Sequence, residues 1–384
     1  VPESVGGTIG PKPVSTQETF GRLLVRLGEV PELLDRMVTT SPDVSVSTNL
    51  GGWINKVGVF NPDEPQDFLG EGRLLRWKQT AAGHHIELGI SEMNLFLMLH
   101  ALGLGHELHG RHLVPIGTVY DPFVCRGLDA LIYALYNDAR FIMIGTPAGV
   151  TLAPEGGAHQ SAITPSIGLE LPGLDYAEPA FARALDWLLC DGIDRLSSAD
   201  GSSLYLRLST RPIDQSAFLA AEERLGSTTL REHVLRGGYR LREPADGRAS
   251  VILATCGPVV PEVLEAARQL DEEGVSSVVL DLTSSDRLYR EWRTQLRDAS
   301  RTATRPSDAT HLASLLRPDE RRAPIVTVHD AASHHLAWLG GVFGARVVPV
   351  GVDSFGQSGS IPDLYGLFDL RPEQIVNAAL TIVD

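Results

Sequence analysis

The sequence predicts an α/β fold made of two domains, each with a parallel β-sheet covered by helices. Short, continuously apolar segments, typical of buried strands, alternate with helical patterns along most of the chain. The alternation stops at the charged, glycine-bearing segment 221–244 and then resumes. Because this composition suits a linker, we expect an N-terminal arm at 1–14, a first domain at 15–220 and a second domain at 245–384.

The elements of the first domain follow from capping residues and apolar periodicity. Ser15 or Thr16 is expected to cap a helix that carries leucines on one face. The segment 44–47 predicts a strand, and the polar, proline-bearing segment 55–80 predicts an inserted surface loop. The other predicted elements are a helix from Ser91, helices over 123–137 and 180–189, and strands over 113–117, 141–145 and 204–208.

The second domain repeats this alternation of strands and helices. A helix is expected at 261–274, because it has a proline at its start and a glycine at its end. A closing helix is expected at 373–383. Strands are predicted over 251–254, 278–282, 325–328 and 347–350.

The composition narrows the function classes. Of 384 residues, 43% are hydrophobic and 21% charged, which is typical of a globular protein. The net charge of −15 disfavours nucleic-acid binding, because such a surface repels phosphates. The apolar runs are shorter than the ~20 residues that a membrane helix needs. Three scattered cysteines form no CxxC motif, which favours free thiols in a reducing cytoplasm.

Candidate site residues lie in loops that follow predicted strands, where parallel α/β sheets bind ligands. Glu92 stands at the start of an apolar helix, where the helix dipole alone would favour a carboxylate by about 0.3–1 kcal/mol. Glu87 is the competing carboxylate. Tyr120 and Phe123 flank a proline turn, and core packing is the alternative role for them.

Histidines and arginines add further candidates. His159 ends a glycine-rich loop and can serve as acid, base or polar anchor. His84 and His85 could also face a pocket, although an adjacent pair points in two directions. Arg207 and Arg211 could reach a substrate carboxylate or phosphate, or form a solvated basic pair.

The order and spacing of these segments resemble one enzyme family. The motifs GISEMN (89–94), GTVYDPF (117–123) and GTPAGVTLAPEGGAHQS (145–161) resemble the central domain of transketolases and of the homodimeric type of pyruvate dehydrogenase decarboxylating component. The segment GVDSFGQSGSIPDLYGLFDL (351–370) resembles that family's C-terminal domain, in its dehydrogenase branch. The resemblance implies a pyrimidine-binding domain followed by a transketolase C-terminal-like domain.

The resemblance also implies thiamine diphosphate as cofactor. Glu92 would hydrogen-bond the aminopyrimidine ring nitrogen and help the cofactor to lose its thiazolium proton. Ile90 would support the bent cofactor conformation. Phe123 would stack on the pyrimidine with Tyr120 beside it, and His159 would face the substrate carbonyl.

Substrate contacts are expected from Glu155, His85 and Arg211. Glu155 stands where transketolases have an aspartate that binds a sugar hydroxyl, and Pro147 replaces a transketolase histidine. Both departures count against ordinary sugar recognition.

The family's magnesium site has no clear counterpart in the sequence. Members bind Mg²⁺ through a Gly-Asp-Gly motif and a downstream Asn. The nearest candidates, at 190–192, 199–201 and 245–247, neither follow an apolar strand nor lead to that Asn. The resemblance therefore implies a β-type subunit without metal ligands, with the Mg²⁺ ligands on a diphosphate-binding, α-type partner. A dimer of heterodimers is expected.

The implied activity is transfer of a two-carbon unit from a 2-oxo acid or a ketose to a lipoyl or carrier-protein thiol. A lipoyl or acyl carrier domain would then be a further partner. Two alternatives remain, a split transketolase that moves a glycolaldehyde unit between sugar phosphates, and a non-catalytic assembly subunit.

Overall fold

The computed structural model of the chain describes residues 1–6, 12–63 and 77–383. Within these ranges, helices surround an eight-stranded sheet and a five-stranded sheet. The predicted α/β fold is therefore confirmed.

All strand pairings of the first sheet are parallel, and the strand order is β3-β2-β4-β1-β5-β6-β8-β7. The side chains of its central strands are buried because helices cover both faces. The strands are β1 (Met37–Ser41), β2 (Val59–Phe60), β3 (Gln79–Thr80), β4 (His85–Glu87), β5 (Val114–Val119), β6 (Ile142–Gly145), β7 (Leu174–Ala177) and β8 (Ser203–Arg207).

The first helix begins as predicted, because the Ser15 hydroxyl accepts a hydrogen bond from the backbone N–H of Glu18 at 3.1 Å. Its leucines are buried in the core that the sheet and helices share. The helices of this part are α1 (Thr16–Leu27), α2 (Pro31–Leu34), α3 (Gly51–Val57), α4 (Glu92–Gly103), α5 (Gly105–His109), α6 (Leu128–Tyr136), α7 (Thr164–Glu170) and α8 (Ala182–Arg195).

Three local predictions differ from the structure. The segment 44–47 forms a turn rather than a strand, because Asp43 takes a φ of 65° and ends the extended backbone after β1. The helix predicted over 123–137 is a 3₁₀ turn at Asp121–Gly127 followed by α6. The predicted insertion 55–80 contributes the end of α3, β2 and β3, and its residues 64–76 lie outside the described ranges.

Residues 4–6 of the N-terminal arm contact helix α8, and Val14 at the end of the arm forms a β-bridge with Ile213. The backbone N–H of Val5 donates to the Asp186 carboxylate in α8 at 3.0 Å. Residues 7–11 of the arm lie outside the described ranges.

The second sheet has the order β13-β12-β10-β11-β9 and is mixed, because β9 runs antiparallel to β11 while its other pairings are parallel. A parallel sheet was predicted here, and the antiparallel edge strand β9 is the exception to it. The strands are β9 (Tyr239–Arg242), β10 (Val251–Thr255), β11 (Ser277–Asp281), β12 (Ile325–Val328) and β13 (Val347–Val350).

The segment 221–244, predicted as a linker, is largely regular. It contains the end of α9 (Ser216–Leu225), all of α10 (Ser227–Arg236) and β9. Since β9 joins the second sheet, we propose that the second domain begins near Gly237. The remaining helices are α11 (Val260–Glu272), α12 (Ser285–Thr302), α13 (His311–Leu315), α14 (Leu339–Phe343), α15 (Ile361–Leu367) and α16 (Pro372–Leu380).

A fully buried ion-pair network joins the two sheets at the carboxyl ends of their strands. Arg207, the last residue of β8, donates from Nε to Asp121 Oδ2 at 3.0 Å and from Nη1 to Glu178 Oε1 at 2.6 Å. Its Nη2 reaches the backbone oxygen of Asp330, beyond β12, at 3.1 Å. Glu178 also pairs with His329 Nε2 at 2.8 Å. One guanidinium therefore connects three loops of two domains.

The partners of Glu178 keep its buried carboxylate ionised. Burial alone would raise the pKa of Glu178, but the Arg207 guanidinium and the His329 imidazole hold that pKa well below its usual range. A buried charge without such partners would be costly.

Replacing Arg207 with Met should lower the free energy of unfolding by about 3–5 kcal/mol, because two buried carboxylates lose their counter-charge. Chemical denaturation at neutral pH measures the loss. The matched control is Arg22→Ala, which removes the exposed i,i+4 pair with Glu18 and should cost about 0.5 kcal/mol or less. Equal losses in the two variants would contradict the central role of Arg207.

Candidate active site

Three loops at one edge of the first sheet form the candidate site. They follow β4, β5 and β6, which lie near one another in the order β4-β1-β5-β6. The first loop leads into α4, the second into the 3₁₀ turn Asp121–Gly127, and the third passes through three short 3₁₀ turns that end at His159. Because the strands are parallel, all three loops leave the same edge.

An aromatic cluster connects the second and third loops. The Tyr120 and Phe123 rings lie nearly parallel with centroids 6.0 Å apart. The His159 ring meets both edge-on, 6.1 Å from Tyr120 and 5.3 Å from Phe123. The structure thus brings three of the predicted site residues together.

Glu92 joins this cluster through Arg126. Glu92 is the first residue of α4 and is only 8% exposed. Arg126 Nη1 donates to Glu92 Oε1 at 2.9 Å, and its guanidinium carbon lies 3.6 Å from the centroid of the Phe123 ring. Arg126 was not among the site residues predicted from the sequence. The available signal was a cation three residues after the aromatic, a spacing that brings side chains together on a helical turn.

The imidazole of His159 is half-buried, and its Nδ1 finds no hydrogen-bond partner among the described residues. Buried polar atoms are nearly always paired. An unpaired ring nitrogen beside an aromatic cluster therefore suits a bound ligand. Glu155, four residues earlier in the same loop, is exposed at its rim.

The tail of the second domain supports the His159 loop. The Gln160 side chain donates to the Gln357 backbone oxygen at 2.9 Å and accepts from the Gln357 N–H at 3.0 Å. The Ser358 hydroxyl donates to the Pro154 backbone oxygen at 2.7 Å. The segment 351–370, recognised in the sequence by its motif alone, therefore fixes the loop that carries the histidine.

Asp121 connects the 3₁₀ turn Asp121–Gly127, which carries Phe123, to the loop that contains His159 (the histidine loop). Its carboxylate accepts hydrogen bonds from the hydroxyls of Ser161 and Thr164, which follow His159, and from Tyr205 in β8. Together with the Arg207 ion pair, these bonds saturate the carboxylate. Asp121 therefore positions the loops rather than facing a ligand.

Ile90 lies just before Glu92 and is 78% exposed. Met93 and Leu97, further along α4, are exposed as well. These side chains point away from the core of the described chain, so an apolar face surrounds the start of α4. Such a face suits contact with another surface.

His85 is buried below the site, and both of its ring nitrogens are engaged. Nδ1 lies 2.9 Å from Thr39 Oγ1, and Nε2 lies 3.0 Å from Glu87 Oε2 and 3.1 Å from Ser45 Oγ. Burial would raise the pKa of Glu87, but its hydrogen bonds with His85 and Ser45 lower it overall. In place of the predicted substrate contact, we propose a structural role for His85, and likewise for Glu87.

Arg211 also has protein partners. Its guanidinium forms a bidentate pair with Glu262 of α11, at 2.6 and 2.7 Å, and donates to the Pro258 backbone oxygen at 2.9 Å. These contacts join the two domains. We therefore propose that Arg211 acts in domain packing instead of binding substrate.

Asp330 supports the start of the histidine loop. Its Oδ1 accepts from the Val150 N–H at 2.9 Å, while its buried Oδ2 has no partner within the part of the chain that is described. Burial raises the pKa of Asp330 to about 7, although the Arg207 guanidinium opposes this rise. The protonated carboxyl is thus favoured in the folded state below about pH 7.

Glu178, Cys256 and His329 are the one set of His, Cys, Asp and Glu side chains within the described ranges that converges closely enough to hold a metal ion. The set is buried and Glu178 is already paired with Arg207. Mg²⁺ prefers oxygen ligands, so a Cys and a His do not suit it. None of the helices in the described ranges combines the length and apolar character needed to cross a bilayer.

Two protein-family models match the chain. Residues 2–211, more than half of it, match the pyruvate dehydrogenase E1 component middle domain, and residues 237–371 match the transketolase-like C-terminal domain. The chain therefore belongs to the transketolase and pyruvate dehydrogenase E1 family. Enzymes of this family depend on thiamine diphosphate, usually with a divalent cation.

Two curated relatives illustrate the match. The pyruvate dehydrogenase E1 component of Mycolicibacterium smegmatis is 26% identical over 378 residues, covering 96% of this chain and 39% of the relative. That of Escherichia coli K12 is 24% identical over 388 residues, covering 96% and 41%. The chain thus spans about two fifths of the length of these relatives.

Solved structures share the fold. Transketolase from Leishmania mexicana superposes with a TM-score of 0.71 at 17% identity, covering 98% of this chain and 46% of that one. The structure described as "Split gene transketolase, inactive beta4 tetramer" has a TM-score of 0.63 at 19% identity, covering 96% and 98%. At these identities the likeness concerns the fold alone.

Replacing Asp330 with Asn should change how stability depends on pH. The folded-state pKa of Asp330 lies above its usual 3.8, so its contribution is full below about pH 4 and is lost as the pH rises to about 7. The Asn variant lacks this titration. Relative to the variant, the wild-type free energy of unfolding should therefore fall between these pH values and then level off.

Urea denaturation across this pH range measures the difference. Asp298→Asn, at an exposed position of α12, is the control and should give a nearly constant difference. A constant difference for Asp330→Asn would contradict the raised pKa.

Proposed function

We propose that the chain is the β-type subunit of a split, thiamine diphosphate-dependent enzyme. It transfers a two-carbon unit from a 2-oxo acid or a ketose to a lipoyl or carrier-protein thiol. The observation that carries this proposal is the convergence of Glu92, Phe123, Tyr120 and His159 at one edge of the first sheet.

The residues present suit the pyrimidine half of the cofactor. A nearly buried carboxylate lies beside an aromatic platform, and His159 Nδ1 is buried without a partner in the described ranges. The carboxylate can hydrogen-bond a ring nitrogen or amino group, and the aromatic platform offers a stacking surface for a planar ring. His159 Nδ1 is a further polar atom that a ligand could contact. A non-catalytic subunit that served only in assembly would not require a carboxylate, an aromatic platform and a histidine at one site.

Each residue has a defined task in the proposed reaction. Thiamine diphosphate, when bound, supplies the nucleophilic carbon and the electron sink that cleavage beside a ketone requires. Glu92 holds the pyrimidine ring nitrogen, and Phe123 orients the ring with Tyr120 beside it. His159 presents an imidazole nitrogen for proton transfer or hydrogen bonding at the substrate carbonyl.

Several observations support a partner that completes the site. In the described ranges, the converging side chains at Glu178 do not form an oxygen cage for Mg²⁺. The apolar face at Ile90 is exposed beside Glu92, which is typical of a surface that a partner protein buries. A structure described as a split gene transketolase shares this fold. We therefore propose that an α-type subunit with a Gly-Asp-Gly motif supplies the Mg²⁺ ligands, in a dimer of heterodimers.

The second candidate is a split transketolase that acts on sugar phosphates, and the likeness in fold to transketolases favours it. Glu155 and Pro147 count against it, because they replace the sugar-binding aspartate and the histidine of transketolases. A lipoylated domain and ribose phosphate, offered in parallel to the active complex, would separate the two acceptors. Transfer to ribose phosphate alone would support the transketolase alternative.

The split site predicts that cofactor binding requires both subunits. The chain is co-expressed with a candidate α-type partner that carries a Gly-Asp-Gly motif, and calorimetry measures thiamine diphosphate binding with Mg²⁺. We expect tight binding by the mixture and none by this chain alone. Tight binding by the chain alone would contradict the split metal site, and no binding by either would favour the non-catalytic alternative.

Replacing Glu92 with Gln should lower turnover of the complex by about 10²-fold or more, because an amide cannot exchange the proton that the carboxyl group handles. Cofactor binding, measured by calorimetry, should persist because the shape of the side chain is kept. Glu107→Gln makes the same change at an exposed position of α5 and should leave turnover unchanged. Unaltered turnover in Glu92→Gln would exclude the proposed role.

A further inference from the structure

Arg126 makes two contacts that the proposed function reserves for the cofactor. Its Nη1 donates to Glu92 Oε1 at 2.9 Å. Its guanidinium carbon lies 3.6 Å from the centroid of Phe123. Glu92 is the proposed partner of the pyrimidine ring nitrogen, and Phe123 is the proposed stacking platform.

A guanidinium group can stand in for an aminopyrimidine because both are planar and both carry N–H donors. Stacking brings the two planes to van der Waals distance. A pyrimidine ring therefore cannot lie on the face of Phe123 that the guanidinium covers. Glu92 Oε1, which would accept a hydrogen bond from the pyrimidine, already accepts one from Arg126.

We propose that Arg126 occupies the pyrimidine subsite of the free chain and has to leave it before the cofactor binds. This inference rests on the proposed function and adds a self-blocking contact to the same site. Arg126 is thus a displaceable occupant that controls access, and Glu92 and Phe123 are the groups it covers.

The contact is suited to exchange rather than permanent closure. The Arg126 side chain is 53% exposed, and Glu92 is its one ion-pair partner within the described ranges. Its long stem allows it to swing into water without disturbing the 3₁₀ turn. Exposed ion pairs and cation–π contacts are weak, and together they correspond to roughly a tenfold change in a binding constant.

Blocking of this kind lowers the apparent affinity of the cofactor by the fraction of molecules in which the subsite is open. Removing the guanidinium should therefore tighten binding, whereas removing an ordinary binding residue weakens it. The direction of the change distinguishes the two roles.

The test uses the complex of the chain with its α-type partner and titrates thiamine diphosphate with Mg²⁺ by calorimetry. Arg126→Ala should bind about tenfold more tightly than the wild type. Arg126→Lys keeps the charge but loses the planar stacking, so its affinity should be intermediate. Arg22→Ala removes an equivalent exposed ion pair in α1 and should bind like the wild type.

A double-mutant cycle locates the effect at Glu92. In a Glu92→Gln background the charge that holds Arg126 is absent, so the gain from Arg126→Ala should shrink. An equal gain in both backgrounds would overturn the assignment of the contact.

Equal or weaker binding by Arg126→Ala, with normal binding by the wild-type complex, would overturn this inference and leave the proposed function standing. Absence of binding by both proteins would overturn the proposed function, and the inference with it. If the Arg126→Ala complex bound the cofactor and the wild-type complex did not, Arg126 would block the subsite completely, which would support the inference.

Discussion

The architecture of this chain depends on one buried positive charge. Arg207 ends the buried strand β8, and its guanidinium is shared by Asp121, Glu178 and the backbone of Asp330. Each of these groups begins a loop after a different strand. All of the guanidinium's ion-pair and hydrogen-bond partners are present only when the three loops are in place, and a buried charge without its partners is costly. The geometry of the site is therefore linked to the packing of two domains.

Much of the fold could be predicted from the sequence, because buried parallel strands are continuously apolar and helices show apolar periodicity. The start of α1 is an example, because Ser15 or Thr16 was predicted as its N-cap and the Ser15 hydroxyl caps it. The errors have local causes. A positive φ at Asp43 ended a strand before the segment 44–47, and the charged residues of β9 concealed an edge strand, since only alternate side chains of that strand are buried.

The candidate site was less predictable where distant segments meet. The resemblance to family motifs pointed to Glu92, Phe123 and His159, which the fold brings together. Arg126 was missed because its partner Glu92 lies 34 positions away. The protein partners of Arg211 were missed for the same reason, since Glu262 lies in the other domain. Sequence patterns report local periodicity, whereas such pairs are set by tertiary packing.

The contacts between Gln160 and Gln357 have a consequence for how this protein can vary. The histidine loop and the tail of the second domain bond through both a side chain and the main chain, across 197 positions. A change on one side is tolerated only if the other side still fits it. Exchange of whole domains between relatives would separate these matched surfaces. Recombination should therefore preserve the two segments as a pair, so that the conformation of the His159 loop is inherited from both halves of the chain together.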